Sequence, residues 1–257
     1  MSAEQSDLDA AADVIRDANL LVVLTGAGVS KESGVPTFRD SLDGLWAKYD
    51  PMDLATPDAF QRNPKLVWDW YEYRRQMVNS VQPNAGHYAI AALEDMLPEI
   101  VVITQNVDGL HQQAGSTDVI RLHGDITRHR CFDNCQGNPT LIDISTLTWD
   151  QEAGPPHCPH CGAYVRPDVV WFTEALPSAA LDRSFDLAQR CDVMLVVGTS
   201  GIVQPAAQLP YAAKRWSSAT LIDVNPMRDE IAPLADIFLQ GNSGEILPKL
   251  VARIRES

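Results

Sequence analysis

In LLVVLTGAGVSKESGVPTFRD, residues 20–40, an unbroken apolar run ends in a glycine-rich turn, a junction that is typical of α/β folds. The run from Leu20 to Leu24 has the composition of a strand that is covered on both faces. A strand that breaks into glycines at its carboxyl end is typical of a backbone that approaches a phosphate group. The spacing Gly26-x-Gly28 departs from the three-glycine dinucleotide fingerprint, because Lys31 occupies the third position. The loop then continues through Phe38 and Arg39, which a phosphate cradle alone does not need.

Three further apolar runs end in the same way. They lie at Ile100 to Thr104, Val193 to Val197 and Thr220 to Val224, and they end in the polar turns TQNVDG, GTSG and DVNP. Apolar residues at helical spacing over 8–19 predict a helix before the first strand. In an open α/β sheet the ligand lies beyond the carboxyl ends of the strands, where such turns gather. The pattern therefore predicts an α/β fold with a binding site at that edge.

The composition restricts the class of protein. A chain of 257 residues with 45% hydrophobic content is long enough for one large domain, or for one domain with a smaller insertion. It has no apolar stretch long enough to cross a membrane, and its first residues lack the features of a secretion signal, so we expect a cytoplasmic protein. The net charge of −14 disfavours nucleic acid and membrane surfaces as partners and favours basic ones, although ordinary enzymes are also often acidic. We expect a monomer.

Two segments interrupt the alternation of strands and helices. Residues 41–84 contain no strand-like run and have the character of a helical insertion, and residues 128–170 combine turn formers with two cysteine pairs. Four thiolates in two pairs suit a tetrahedral, structural zinc site. Their residues are Cys131 and Cys135 in CFDNC, and Cys158 and Cys161 in CPHC. Two alternatives remain open at this point: four unligated thiols, or a site in which His157 or His160 replaces one sulfur.

Two polar motifs are ambiguous when they are taken alone. Gln105, Asn106 and Asp108 follow the second strand and could bind a polar ligand, or could form a helix cap and a turn. His123 in RLHGD has the chemistry of a general base at neutral pH, but a lone histidine here could equally be a structural hydrogen-bonding residue.

Taken together and in order, the motifs resemble those of the sirtuins, a family of NAD-dependent protein deacylases. The matching stretches are GAGVSKESGVPTFRD, TQNVDGLH, LHG, the two cysteine pairs, RPDVVWFTE, GTSGIVQPAA and IDVNP, and they cover about residues 20–245. The resemblance implies one catalytic domain over 1–257. Its large Rossmann-like part comprises about 1–40, 85–127 and 171–257, and its small part comprises a helical segment (41–84) and a zinc ribbon (128–170), with a substrate cleft between the parts.

The resemblance also implies a role for individual residues. NAD would contact the loops at the strand ends, namely Gly26, Ala27, Gly28, Ser30, Phe38, Arg39, Gln105, Asn106, Asp108, Gly198, Thr199, Ser200, Asn225 and Ser243. His123 would be the general base, assisted by Asn106 and Asp108, and the four cysteines would bind Zn²⁺. The implied reaction transfers an acyl group from lysine to the ADP-ribosyl part of NAD and releases nicotinamide. Phe38 and Arg39 would belong to a loop that shields the reacting ribose from water.

A part of the helical segment resembles the sirtuin class that removes succinyl, malonyl and glutaryl groups from lysine, besides acetyl. Tyr71 and Arg74 match its Tyr-x-x-Arg signature and share one helix face, and Ala55 matches the small residue of its acyl pocket. A guanidinium can pair with an acyl carboxylate, and a phenol adds a hydrogen-bond donor. The alternative is that Tyr71 packs in the core and that Arg74 is solvated, as is expected for Arg75.

The peptide would bind along Val170 and Phe172, opposite the loop around Val203. Three features depart from the family pattern: Lys31 beside the phosphate loop, Thr173 where glycine is common, and the three-residue spacing in CFDNC. Lys31 could contribute a cation near the cofactor or could project into solvent. Two other functions remain as alternatives, an NAD hydrolase or ADP-ribosyltransferase and a catalytically silent NAD or ADP-ribose binding module. The retained His123 and the acyl-lysine features argue against both.

Overall fold

The computed structural model describes residues 3–37 and 49–256. Its helices are α1 (Ala3–Arg16), α2 (Gly28–Lys31), α3 (Pro51–Leu54), α4 (Pro57–Arg62), α5 (Pro64–Ser80), α6 (Ala85–Ala92), α7 (Leu110–Ala114), α8 (Ser178–Ala188), α9 (Leu209–Ala212) and α10 (Ser243–Arg255). Its strands are β1 (Leu20–Thr25), β2 (Glu99–Thr104), β3 (Val119–Arg121), β4 (Gly124–Cys131), β5 (Val165–Val169), β6 (Val193–Val197), β7 (Thr220–Asn225) and β8 (Ile237–Gln240). Short 3-10 turns lie at Leu93–Asp95, Ile144–Thr146, Gln151–Ala153 and Ala206–Gln208, and a π turn lies at Ala213–Ser217.

Six strands form one parallel sheet in the order β3-β2-β1-β6-β7-β8. From β1 the chain passes first to β2 on one side and later to β6 on the other, so the strand order reverses between β1 and β6. At such a reversal the loops beyond the carboxyl ends of the two strands diverge and leave room for a ligand. The expected α/β fold with a Rossmann-like parallel sheet is confirmed.

The sheet is buried on both faces, which explains the unbroken apolar runs of its central strands. Leu21 and Val23 of β1 belong to a large core that also includes side chains of α1, α6 and α10. Their neighbours Val22 and Leu24 point to the opposite face and are fully buried as well. A one-residue change of register would therefore exchange two packed faces, which fixes these strands firmly.

The described residues divide into two compact units. The first contains residues 3–37, 82–122 and 177–256 with the parallel sheet, and the second contains residues 49–81 and 123–176. The second unit has its own antiparallel pair, β4 and β5, and the long helix α5. His123 falls in this second unit, whereas the sequence boundaries placed it in the large part.

Local capping explains where α5 begins. The Asn63 side chain accepts a hydrogen bond from the Leu66 N–H at 3.1 Å, and Pro64 occupies the first helical position, where its missing N–H costs nothing. The expectation that Arg75 on this helix is solvated is wrong. Arg75 is buried, its Nε donates to the Ile126 carbonyl at 2.8 Å and its guanidinium pairs with Glu72. The carbonyl of a strand far along the chain satisfies a charge that helical periodicity alone would place in water.

Over the described ranges 3–37 and 49–256, the helices are too short or too polar for a membrane span.

Candidate functional site

Two glycine turns touch each other at the point where the strand order reverses. The Gly28 N–H donates to the Gly198 carbonyl at 2.8 Å, and the Gly26 N–H donates to the Val197 carbonyl at 3.1 Å. A Cβ on Gly28 would lie 2.7 Å from the Gly198 oxygen, and a Cβ on Gly26 would lie 2.8 Å from the Thr199 Cα. Glycine is therefore required at positions 26 and 28, because two backbones come into close contact there. Gly198 has a positive φ of 59°, a conformation that also favours glycine.

The same turns present backbone donors. The N–H groups of Ala27, Thr199 and Ser200 have no acceptor among the described residues. Thr199 is held on both sides: its hydroxyl accepts from Gln105 Nε2 at 3.0 Å, and its carbonyl accepts from Asn225 Nδ2 at 2.9 Å. Rigid N–H groups that converge at a strand reversal are suited to the phosphates of a dinucleotide. These residues fit the NAD pyrophosphate that the resemblance implies.

Asn106 is fixed from two sides in the turn after β2. Its Nδ2 donates to the Ser30 Oγ at 3.0 Å, and its backbone N–H donates to the Thr104 Oγ1 at 3.1 Å. The Asp108 side chain caps the start of α7, because its Oδ1 accepts a hydrogen bond from the Leu110 N–H at 3.0 Å. Both side chains are buried, and the second oxygen of Asp108 remains available for other contacts. The ligand and cap interpretations of this turn are thus compatible.

Two buried histidines lie beneath Ser30 and β1, and the sequence analysis did not identify them. The His87 Nδ1 accepts from the Asn84 N–H at 3.3 Å, so its Nε2 carries the hydrogen that points to the Ser30 Oγ at 3.4 Å. Burial lowers the pKa of His87 to about 4 and that of His111 to about 3, and both rings are therefore neutral at pH 7. The Asn-x-x-His cap at the start of α6 was visible in the sequence, but its contact with Ser30 was not.

The proposed adenosine residue Ser243 stands at the first position of α10 and is buried. Its hydroxyl donates to a carboxylate oxygen of Glu32 at 3.1 Å, and the same oxygen accepts from the Gly244 N–H at 2.7 Å. Glu32 thus joins the end of the glycine loop to the start of α10. Lys31, one residue earlier, is exposed. Phe38 and Arg39 lie outside the described residues.

The residues expected to recognise the acyl-lysine, apart from Val203, lie in the second unit. The Phe172 N–H donates to the Ala55 carbonyl at 2.9 Å, and the Val170 N–H donates to the His123 carbonyl at 2.9 Å. Arg74 is partly buried, with its guanidinium carbon 4.9 Å from the centre of the Trp70 ring and 5.7 Å from that of Tyr71. Val203 belongs to the first unit and is 41% exposed.

Tyr71 is completely buried, and its hydroxyl accepts a hydrogen bond from the indole Nε1 of Trp171 at 2.9 Å. The ring of Tyr71 therefore packs in the core, as the alternative interpretation of the sequence expected. Its hydroxyl, in contrast, makes a directed hydrogen bond. Thr173 has a positive φ of 74°, so the backbone turns there and does not continue as a strand. This conformation accounts for the glycine that is common in the family at this position.

The four cysteines of the two pairs converge. Their sulfurs all lie within 4.8 Å of one another, with 3.5 Å between Cys131 and Cys161 and 3.8 Å between Cys135 and Cys158. A tetrahedral zinc with sulfurs at about 2.3 Å requires edges of about 3.8 Å, so the geometry fits. The His157 Nδ1 instead lies 2.7 Å from the Gly162 carbonyl. Within the described chain the donor set is therefore four sulfurs, which leaves no open position for a substrate.

A sequence profile of the Sir2 family matches residues 26–205. A relative from Pyrococcus abyssi (strain GE5 / Orsay), named NAD-dependent protein deacylase, is 50% identical over 244 residues, which cover 95% of this chain and 96% of the relative. A solved structure of a Sir2 homologue in complex with NAD superposes with a TM-score of 0.85 at 43% identity, covering 95% of this chain and 93% of that one. The structure of Sir2Af2 bound to a myristoylated histone peptide has a TM-score of 0.76 at 35% identity and 98% coverage of both chains.

These similarities extend over nearly the whole chain and agree with the sheet reversal, the glycine turns and the cysteine cluster. They confirm the resemblance inferred from the motifs. The chain belongs to the Sir2 family.

Proposed function

We propose that this protein is an NAD-dependent protein-lysine deacylase that prefers succinyl, malonyl and glutaryl groups. The observation that carries the acyl preference is the contact set of the second unit, in which Tyr71 and Arg74 lie on one face of α5 and Ala55 pairs with Phe172. The activity itself is supported by the relatives, which are named NAD-dependent protein deacylases, and by a Sir2 homologue that binds NAD.

NAD, when bound, supplies the ADP-ribosyl group to which the acyl group is transferred. Ala27, Thr199 and Ser200 bind its phosphates through their backbone N–H groups, and Gly26 and Gly28 keep the two loops close enough for this. Gly198, Asn225 and Ser243 shape the adenosine side. Ser30 and Gln105 line the ribose pocket with Asn106 and Asp108, and the protein's buried hydrogen bonds hold Asn106 in place.

His123 would accept the proton of a ribose hydroxyl when NAD is bound. A neutral imidazole has a ring nitrogen that can accept a proton at physiological pH. Its backbone carbonyl accepts a hydrogen bond from the Val170 N–H, which joins His123 to the segment that we expect to bind the substrate peptide. Val170, Phe172 and Val203 contact the peptide, and Phe38 and Arg39 shield the reacting ribose from water. The four cysteines hold Zn²⁺ as a structural ion.

Arg74 is the residue that favours a carboxylate over a methyl group at the end of the acyl chain. A guanidinium that stacks on aromatic rings is partly dehydrated, and this strengthens its interaction with a carboxylate. Ala55 is small, so its side chain takes up little of the space that an acyl chain longer than acetyl needs. Sir2Af2 binds a myristoylated histone peptide, so an apolar long-chain acyl group is the second candidate substrate.

The test is a comparison of acetyl-, succinyl-, malonyl- and myristoyl-lysine peptides of one sequence, each incubated with NAD while nicotinamide and free lysine are followed. Succinyl and malonyl peptides should give the highest kcat/KM. Arg74→Met should lower that value by about 10- to 100-fold for acidic groups, the loss expected for a charge-assisted hydrogen bond. Arg62→Met replaces an exposed arginine of the same unit and serves as the control.

Other results would favour other functions. A preference for myristoyl that Arg74→Met does not alter would replace the acidic assignment by the apolar one. Release of nicotinamide without peptide would indicate NAD hydrolysis, and no turnover with any peptide would indicate a binding module. Full deacylation by His123→Tyr would refute the assignment of the base.

A further inference from the structure

We propose that Trp171 is a positioning residue for acyl selectivity, because its indole N–H occupies the acceptor side of the Tyr71 hydroxyl and leaves the hydroxyl hydrogen to point at the acyl carboxylate. This role presupposes the acidic-acyl preference proposed above. It assigns a function to a residue that lies between two expected peptide contacts, Val170 and Phe172, and that would otherwise count as part of the core.

The direction of the Trp171–Tyr71 hydrogen bond is fixed by chemistry. An indole N–H can only donate, so the phenol oxygen at 2.9 Å must accept. Tyr71 is 0% exposed, and burial raises the pKa of its hydroxyl, which therefore keeps its hydrogen over the whole physiological pH range. No acceptor for that hydrogen is found in the part of the chain that the structure describes. The hydroxyl is thus a donor that is already oriented, and an acyl carboxylate reaches it only by displacing side chains that now cover it.

Trp171 is itself held so that its indole cannot turn away. Its backbone N–H donates to the Glu174 Oε2 at 2.8 Å. Arg166 stacks on its ring, with 3.2 Å from the guanidinium carbon to the ring centre, and pairs with both carboxylate oxygens of Glu174 at 2.5 and 2.9 Å. Phe60 covers the ring from another direction at a centroid distance of 5.3 Å.

The packing around this pair makes the orientation costly to change. Arg166 is 1% exposed and also donates to the Val169 carbonyl at 2.7 Å. Rotation of the indole would leave a buried N–H unpaired and would break the stacking with Arg166. A donor that is fixed in advance loses little entropy when it binds a ligand. The pre-oriented donor improves the binding of acyl groups that end in a carboxylate, because an acetyl group has no acceptor that could reach the Tyr71 hydroxyl.

The deciding variant is Trp171→Phe, which removes the indole N–H and retains an aromatic ring for Arg166. We expect the ratio of kcat/KM for succinyl- over acetyl-lysine peptide to fall about 3- to 10-fold, the usual effect of one neutral hydrogen bond. The fall should appear mainly as a higher KM for the succinyl peptide. Trp68→Phe is the matched control, since Trp68 is a buried indole of the same unit that packs beside Cys131 and Cys158, and it should keep the wild-type ratio.

A double-mutant cycle separates positioning from packing. In a Tyr71→Phe background the hydroxyl is absent, so adding Trp171→Phe should change the ratio no further. Incorporation of benzothienylalanine at position 171, which replaces the N–H by sulfur at nearly the same shape, gives a second variant if the phenylalanine variant folds poorly, and it should show the same fall.

A succinyl preference that survives either replacement of Trp171 would overturn this role, as would an equal fall in the Tyr71→Phe background. A wild-type protein without any preference for acidic groups would overturn the acyl assignment and this role together. The two failures are therefore distinguishable.

Discussion

Replacing a buried aspartate in the parallel sheet, Asp223→Asn, should make the protein more resistant to unfolding at alkaline pH. Asp223 lies in β7, is 0% exposed, and neither of its carboxylate oxygens has a hydrogen-bond partner among the described residues. Burial and the neighbouring Asp229 carboxylate raise its pKa from 3.8 to about 7, and Arg228 opposes this rise only partly. Asparagine has nearly the same shape and cannot ionise.

The magnitude follows from the shift. Each pKa unit corresponds to about 1.4 kcal/mol, so ionisation of Asp223 costs the folded state about 4 kcal/mol. Because the folded-state pKa is raised, the folding stability that protonated Asp223 contributes is fully present below the unfolded pKa of 3.8. This stability is lost as the pH rises to about 7. About 2 kcal/mol of it is already lost by pH 5. The stability advantage of Asp223→Asn over wild type should therefore grow by about 2 to 3 kcal/mol between pH 5 and pH 8.5.

The assay is urea unfolding followed by far-UV circular dichroism at pH 5, 6, 7 and 8.5 for both proteins. Any cost of burying the amide is independent of pH and cancels in the comparison across pH. Asp182→Asn removes an exposed carboxylate and controls for the change in net charge. A stability difference that stays constant from pH 5 to pH 8.5 would contradict the prediction, because Asp223 would then ionise as easily in the folded state as in the unfolded chain.

Three further changes test other parts of the structure. Thr173→Gly should stabilise the protein by up to about 1 kcal/mol in urea unfolding, because glycine adopts the positive φ without strain. Thr173→Ala keeps a Cβ and should gain less stability. Cys158→Ser should release zinc and lower the melting temperature, whereas Cys191→Ser, a buried cysteine outside the cluster, should retain one zinc per chain by metal analysis; equal zinc in both variants would contradict the four-sulfur site. Gly28→Ala should cost about 1 to 3 kcal/mol of stability and weaken NAD binding in calorimetry, since its Cβ would meet a backbone oxygen at 2.7 Å; unchanged NAD affinity would show that the close contact of the turns is not needed.

The parts of the fold that the sequence predicted are those that depend on neighbouring residues. The four long central strands are mostly apolar runs that end in polar turns, and the structure has them within a residue or two of the predicted ends. The short strands β3 and β8 were missed, because three or four residues at the edges of the sheet carry too weak a pattern. The convergence of the cysteine pairs followed from their spacing, since the chemistry of a four-thiolate site demands it.

The order of the motifs along the chain was enough to indicate the family, because each motif combines a glycine or polar turn with a strand end. By contrast, the contacts that orient the site join residues that are far apart in the sequence. Arg75 meets the Ile126 carbonyl across 51 positions, Trp171 reaches the Tyr71 hydroxyl across 100, and Glu32 binds the Gly244 N–H across 212.

The four central strands of the sheet, the location of the glycine turns and the two cysteine pairs could thus be read from the sequence alone. The burial of Arg75, the positive φ of Thr173 and the position of Asp223, which has no hydrogen-bond partner among residues 3–37 and 49–256, depend on the tertiary structure. The physical reason is that burial and hydrogen-bond pairing depend on which distant groups pack around a side chain, whereas apolar periodicity and turn chemistry depend on the adjacent residues.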